Sequence, residues 1–476
     1  MLQRLGAAFI KVKSLLAGSI ERSLSEKLDD RVSVKDFGAK GDGVTDDTAA
    51  LQRAIDSGRS LYFPDGIYLT SRTLIIAANS SLHISGNNFG HINDASKGAV
   101  IKHTAENSAV FRIRGGAIGA SISGLYLDLM HASSVGFDLG GAWYVKIEDC
   151  VVRNSRFGVH LHYDAPDYFS GVTNISRCYF AKCGVGVKTT KVDINVIQIN
   201  HCTFFDGTNG VIFGETGTSS SIRNGVVRDC LFEANTSYDI GVVSGGAQQL
   251  LIDGNYFEEN TASSDARVYV VDSHLSPRNS AVSITNNVFS KNTTGDLIFL
   301  AYISGVLVKQ NWSAFGGVGF VRAIGITDYE IDRCSTVSGA AKCPVVIDNI
   351  AYTSDTILSK SSLNMQRQWS LIGNTPALRS TACTRAMIQF EGRNAGVSYA
   401  DGATVERTDV GRYTVRLTNA LPSGAYSVNA SVGRSIGGQN MIVNVVRTSP
   451  TEYQLETVDL TGSYQDAGYV SSSVVF

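Results

Sequence analysis

The sequence predicts an all-β chain: a right-handed, single-stranded parallel β-helix, preceded by an N-terminal α-helical neck and followed by a C-terminal antiparallel β-sandwich. Three observations carry this. A six-residue unit recurs along the middle of the chain, its apolar positions lack helical periodicity, and the last hundred residues change to alternating strands. The unit is an apolar β-branched residue, two mostly polar residues, Cys or Asn, any residue, then Phe. It reads Ile147-Glu-Asp-Cys150-Val-Val152, Ile175-Ser-Arg-Cys178-Tyr-Phe180, Ile199-Asn-His-Cys202-Thr-Phe204 and Val227-Arg-Asp-Cys230-Leu-Phe232. It continues as Ile252-Asp-Gly-Asn255-Tyr-Phe257 and Ile284-Thr-Asn-Asn287-Val-Phe289, with weaker copies at Val308, Ile331, Ile84 and Ile122. From Ile147 the leading residues lie 28, 24, 28, 25, 32, 24 and 23 residues apart.

Residue type dictates the geometry of one coil. The leading residue and the Phe point inward from two short strands, and the pair between them turns a corner, where Gly254 and Asn286 tolerate a left-handed backbone. Equivalent side chains of successive coils then stack at strand spacing, about 4.8 Å. Phe180, Phe204, Phe232, Phe257 and Phe289 are expected to form an aromatic stack, with the Cys/Asn positions as a second ladder beside it. Interchange of Cys with Asn in that ladder points to packed thiols, not to disulfides or zinc ligands, which need close Cys pairs.

The totals agree. A solenoid accommodates 476 residues in one elongated core, and 48 Gly against 7 Pro suits a turn-rich β protein. A net charge of -2 gives no nucleic-acid footprint. No secretory signal is apparent, and the apolar opening Leu5 to Leu16 is too short, and too interrupted by Lys11 and Lys13, for membrane insertion.

In chain order, residues 1–30 read as one amphipathic helix, with Leu2, Leu5, Phe9, Val12, Leu15, Leu16 and Ile20 near helical spacing. Such a helix needs a partner, either copies of itself in an oligomer neck or another protein. Residues 32–56 follow as a strand, a loop with Gly38, Gly41 and Gly43, and an Asp/Thr-capped helix carrying Leu51 and Ile55. Phosphate or metal binding by that loop is weighed against a cap over the open first coil, and the cap is preferred. The segment Val34 to Asp56, followed by Leu61-Tyr-Phe-Pro-Asp-Gly-Ile-Tyr68, resembles the opening motif of pectate-lyase-like β-helix proteins. With its neck and C-terminal β domain, the chain is similar to a bacteriophage tailspike, the receptor-binding depolymerase of a tailed phage. The resemblance covers roughly residues 30–350. It implies a virion-borne homotrimer that binds a bacterial capsular polysaccharide or lipopolysaccharide O-antigen and attaches to the phage tail or another tailspike through residues 1–30.

Residues 31–130 hold the cap and the first irregular coils, 131–350 the regular coils, and 351–375, polar and without the repeat, a linker. Residues 376–476 alternate in short strands such as Gly411 to Leu417, Met441 to Val446 and Tyr453 to Val458. They are expected to form a small antiparallel sandwich; it is similar to C-terminal domains of tail fibres and spikes, and that resemblance implies trimerisation or glycan binding.

Chemistry is expected on the outside of the coils. With Val159, Leu161, Val187 and Val242 inward, the outward set includes His160, His162, Gly186, Lys188, Gly241 and Tyr269, with the glycines leaving room for a sugar chain. Six or seven residues after the leading position come Asp206, Glu233 and the pair Glu258 and Glu259 on three successive coils. Carboxylates on adjacent coils lie about 5 Å apart and on alternate coils about 10 Å, which brackets the needs of retaining and inverting glycosidases. These four acids are the catalytic candidates. His160, His162, Tyr163, Asp164, Asp167, Tyr168, Lys188 and Tyr269 are the substrate-binding candidates, the aromatics offering faces to sugar rings. A His or Lys base acting with an Arg, from His160, His162 and Lys188, would instead give β-elimination of a uronic-acid polymer. A spike that binds without cleaving is the third reading. Asn235, Asn260 and Asn292 read as turn supports, no cofactor is called for, and no metal, because the acids lack ligand spacing.

Overall fold

A computed structural model describes residues 10–475 except 78–80, 88–93, 164–169, 192, 216–220, 244–247, 260–265, 272–280, 291–295, 315–319, 337–344, 348–349, 353–357, 361–383, 392, 394–395, 402, 419–426, 433–440, 450, 460, 462 and 468–469. Each coil contributes one strand to each of three long sheets, and successive coils pair in parallel. In the coil that starts the strict repeat these strands are Val145–Glu148 (sheet I), Val151–Arg153 (sheet II) and Phe157–His162 (sheet III). The core is one continuous cluster from Val34 to Ile347.

The register is the one the repeat specifies. Ile147 pairs with Ile175, Ile175 with Ile199 and Ile199 with Val227 along sheet I. Phe180, Phe204, Phe232, Phe257 and Phe289 pair in turn along sheet II. Their rings stack at centroid separations of 5.1, 4.8, 5.0 and 4.7 Å and are almost parallel. Each ring is buried, and burying one stabilises the fold by about 1.5–3 kcal/mol.

In the regular coils the corner between sheets I and II is two residues, 149–150, 177–178, 201–202, 229–230, 254–255, 286–287 and 310–311. The first is left-handed in every coil: Asp149, Arg177, His201, Asp229, Gly254, Asn286 and Gln310 all have φ between 49° and 67°. Gly, and less readily Asn and Asp, take this conformation at low cost; at Arg177 and Gln310 the ladder bonds on both sides impose it. Arg177 also clamps the Asp149 carboxylate at 2.7 and 2.9 Å across neighbouring corners. The second corner residue forms the Cys/Asn ladder. All of Cys150, Cys178, Cys202, Cys230 and Cys334 are buried free thiols.

At the opening end, strand Asp42–Asp46 and helix Thr48–Asp56 form the cap, burying Leu51, Ala54 and Ile55. Asp47 does not cap the helix with its side chain. Its buried carboxylate instead accepts the Lys40 and Gly41 N–H groups at 2.6 and 2.9 Å, tying down the glycine loop. Asp46 accepts from Thr48 and from the Ser71 hydroxyl. Both acids are spent on the fold, as the cap reading requires.

The neck expected over residues 1–30 is not a helix where it is described. Lys11–Lys13 pairs antiparallel with Glu21–Ser23, and only Leu24–Leu28 is helical. Gly18, at φ 80°, turns the hairpin, and a Ser23/Glu26 capping box starts the helix after it. The apolar spacing of Leu15, Leu16 and Ile20 therefore buries nothing within the chain, and all three are exposed.

At the far end, the segment expected to be a linker begins with structure. Ile350–Tyr352 folds back on Val345–Ile347, and Leu358–Lys360 on Thr327–Asp332, both antiparallel. The C-terminal unit is two four-stranded antiparallel sheets around Ile388, Phe390, Tyr413, Val415, Tyr453 and Leu455. This is the expected sandwich.

Candidate functional site

Two outward columns carry the predicted chemistry, one on sheet II and one on sheet III.

On sheet II, Phe205, Glu233 and Glu258 are successive strand partners. The two glutamates point out of adjacent coils, about 4.8 Å apart at their backbones, and both are half-buried. Burial raises the Glu233 carboxyl above its ordinary range, and the charges of Glu258 and Glu259 raise it further. Tyr179 stands two coils away from Glu233 on the same sheet, its hydroxyl also pushed up by burial and by Glu233.

Asp206 and Glu259 are not in that column. They are the left-handed residues of the next corner, with φ 52° and 49°, in line with Asn154, Lys182 and Ala234. Offsets six and seven look equivalent in sequence but belong to a strand and to a turn. Asp206 lies 3.8 Å from Lys182 on the preceding coil, both well exposed. Asn235 supports this corner, its amide oxygen accepting from Gly207 N–H and its amide NH₂ reaching the Phe204 carbonyl and the Asp239 carboxylate. Asn260 and Asn292 lie outside the described residues.

On sheet III the outward column runs Arg112, Asp138, His160, Lys188, Ile212, Gly241, Tyr269, Phe299, Arg322. His160 and His162 converge on one oxygen of Asp138, at 3.4 and 2.7 Å. Burial alone would raise the Asp138 carboxyl, but the hydrogen bonds from the two histidines outweigh it and hold it far below the carboxylate range. Burial lowers the His160 imidazole below its usual value, against the pull of Asp138. Lys188 is likewise lowered by burial, and its ammonium donates to the Gly214 carbonyl at 2.5 Å. Further along, Tyr269 is stacked between Tyr238 and Phe299 at 4.5 and 5.3 Å, an aromatic ladder on the outer surface. Tyr163 is exposed, while Asp164, Asp167 and Tyr168 lie outside the described residues.

Gly186, expected to leave room for sugar, serves the core instead, as Gly158 and Gly210 do. A Cβ on Gly158, Gly186 or Gly210 would sit 2.3–2.5 Å from the ring of Phe180, Phe204 or Phe232. Gly241 does face outward, but Ile212 and Tyr238 cover it.

Arg112, Asp138, Tyr238 and Phe299 were not among the predicted site residues. Arg112 and Asp138 precede the strict repeat, so the coil register did not reach them. The alternation Phe137-Asp138-Leu139, inward-outward-inward, held the signal.

Comparison with known proteins fits this architecture. Residues 31–109 match a family model described as rhamnogalacturonase A/epimerase, pectate lyase-like, and residues 119–273 match one described as right handed beta helix region. The chain is a right-handed parallel β-helix, and its opening residues resemble those of pectate-lyase-like proteins. Among curated relatives it is 52% identical over 61 residues to the tail spike protein of an Escherichia phage, spanning 13% of this chain and 8% of that one. It is 49% identical over 55 residues to the pre-neck appendage protein of Bacillus phage phi29, spanning 12% and 6%. These matches cover only a small part of either relative's length. Among solved structures, Geobacillus virus E2 ORF18 superposes with a TM-score of 0.50 at 17% identity, covering 98% of this chain and 83% of the other. That likeness is one of fold.

Proposed function

We propose that this chain is a phage tailspike that binds a bacterial surface polysaccharide, capsule or O-antigen, and cleaves it by glycosidic hydrolysis. One observation carries the reading: Glu233 and Glu258 are in-register neighbours on an exposed sheet, with the carboxyl of Glu233 raised. Retaining glycosidases use two carboxyls about 5–5.5 Å apart, one protonated to give its proton to the leaving oxygen and one ionised to attack. Adjacent coils place the two backbones about 4.8 Å apart, close to that separation. Glu233, its carboxyl raised by burial and by the charges of Glu258 and Glu259, is assigned as acid and Glu258 as nucleophile. The Tyr238, Tyr269 and Phe299 ladder supplies stacking faces for sugar rings. The relatives named above support a place on the phage tail.

The test measures reducing ends released from purified capsular and O-antigen polysaccharides, with ultraviolet absorbance read in parallel. Wild type is expected to release ends without absorbance, and Glu233→Gln to lose cleavage by about 10²–10⁴-fold while binding survives. Unchanged turnover in Glu233→Gln removes the assignment. A new absorbance would mean elimination, for which the close contact of His160 and His162 with Asp138 supplies a candidate base. Binding without new ends would leave a receptor-binding spike. The proposed assembly is a homotrimer. The exposed Leu15, Leu16 and Ile20 support it, and a monomeric mass by light scattering at micromolar concentration would end it.

A further inference from the structure

The Asp138, His160 and His162 cluster has the arrangement of a metal site. The three side chains come from two adjacent coils. His160 is the strand partner of Asp138, and His162 follows two residues on, on the same face. One potential ligand atom from each lies within 4.8 Å of the others. Nε2 of His162 and Nδ1 of His160 stand 2.7 and 3.4 Å from the same Asp138 oxygen. An ion bound at about 2.0–2.2 Å by nitrogen and oxygen ligands holds them about 3.3 Å from one another. Small side-chain shifts are enough to reach that spacing.

Two of the atoms not facing the centre have partners of their own. Nε2 of His160 is 3.1 Å from the Thr190 hydroxyl, which fixes the ring and leaves Nδ1 toward the centre. The second Asp138 oxygen is 3.7 Å from Nε of Arg112. Such outer partners orient metal ligands and set their basicity. Lys188, the neighbour on the following coil, turns its ammonium to the Gly214 carbonyl. Side-chain exposures of 13–18% leave the centre open to solvent.

We infer that Asp138, His160 and His162 bind one divalent transition-metal ion of the zinc, cobalt and nickel class. Two imidazoles and one carboxylate suit these borderline ions and not calcium or magnesium, which take oxygen ligands. Three protein ligands leave at least one position on the metal for water or for an oxygen of a bound glycan. The inference is independent of the Glu233 and Glu258 assignment.

The full-length protein would be titrated with Co²⁺, read by visible absorbance, and with Zn²⁺, read by calorimetry. One ion per chain is expected. His162→Ala and the isosteric Asp138→Asn, both checked as folded by circular dichroism, should each weaken binding at least about tenfold, and Thr190→Val by about tenfold. Arg112→Met, which removes a neighbouring positive charge, should tighten it. The inference is overturned if wild type shows no saturable binding at millimolar Co²⁺, if both ligand variants bind as wild type does, or if calcium competes on equal terms.

Discussion

The Cys and Asn halves of the internal ladder make the most instructive comparison in this solenoid. Cys178, Cys202 and Cys230 occupy one half, and Asn255, Asn287 and Asn311 the other, at the same position in the coil. Each Asn bonds at least three times. Its amide NH₂ donates to a carbonyl of the preceding coil, Val227, Ile252 or Ile284, and its oxygen accepts the N–H of the preceding ladder residue. The NH₂ also donates onward to the next ladder residue, the oxygen of Asn287 or Asn311 or the sulfur of Cys334. The Cys half bonds more weakly and less regularly. Each thiol lies 3.5–3.7 Å from the equivalent carbonyl, Ile147, Ile175 or Ile199, and 3.2–3.4 Å from the carbonyl two residues before it, while Cys230 sulfur accepts Cys202 N–H at 3.4 Å. What the column requires is a small buried group that donates one way and accepts the other. The amide and the thiol both qualify.

The largest effect should ignore the distinction. Phe232→Ala in the Cys half and Phe289→Ala in the Asn half each remove a ring from the shared stack, and each should cost about 3–5 kcal/mol in denaturant unfolding. A large difference between them would mean that the halves differ in packing and not only in hydrogen bonding. Next, Asn287→Ala should cost about 1–3 kcal/mol, because it orphans the Ile252 carbonyl and the Asn255 N–H in a dry core. Cys202→Ala should cost only about 1 kcal/mol, since a thiol bond is weak and the lost volume small. Equal losses would break the comparison.

The smallest effect tests whether the ladder titrates. Burial lifts the thiols of Cys178 and Cys202 well above their ordinary range, so neither half changes charge near neutral pH. His103, buried in an earlier coil between the hydroxyls of Thr70 and Ser108, is different. Burial lowers it from 6.5 to about 4. The folded state therefore binds fewer protons than the unfolded one across that interval, and stability present above pH 6.5 is lost as pH falls toward 4. At about pH 5.5 the loss should be about 1 kcal/mol. His103→Gln should flatten the profile between those limits. An unaltered slope would assign the acid sensitivity to another group.

What the sequence disclosed follows from this. Inward positions are repeated by every coil, so the Phe stack and the ladder are legible as a period. Glu233 and Glu258 were legible because they keep a fixed offset from Val227 and Ile252. Asp206 was misassigned because one residue separates a strand from a left-handed corner, and residue type does not mark the change: Asp206, Ala234 and Lys182 all occupy it. Arg177, His201 and Asp229 hide the other corner in the same way. The N-terminal helix failed for a local reason. Gly18-Ser19 and the box Ser23-x-x-Glu26 were both visible, and they outweigh an apolar spacing that has nothing to pack against.

The fixed corner has one more implication. Between sheets I and II the regular coils take two residues to turn. Between sheets III and I it takes seven (163–169), three (190–192), seven (214–220), six (243–248), nine (272–280) and two (302–303). Variation in the length of these coils is therefore gathered at this connection and at the one between sheets II and III, which takes from three residues (154–156) to nine (259–267), and the corner beside the stacked rings stays fixed. The molecule is a ruled spine with a ragged margin. Its lineage could rewrite the margin, and with it whatever the margin touches, while the spine went on folding unchanged.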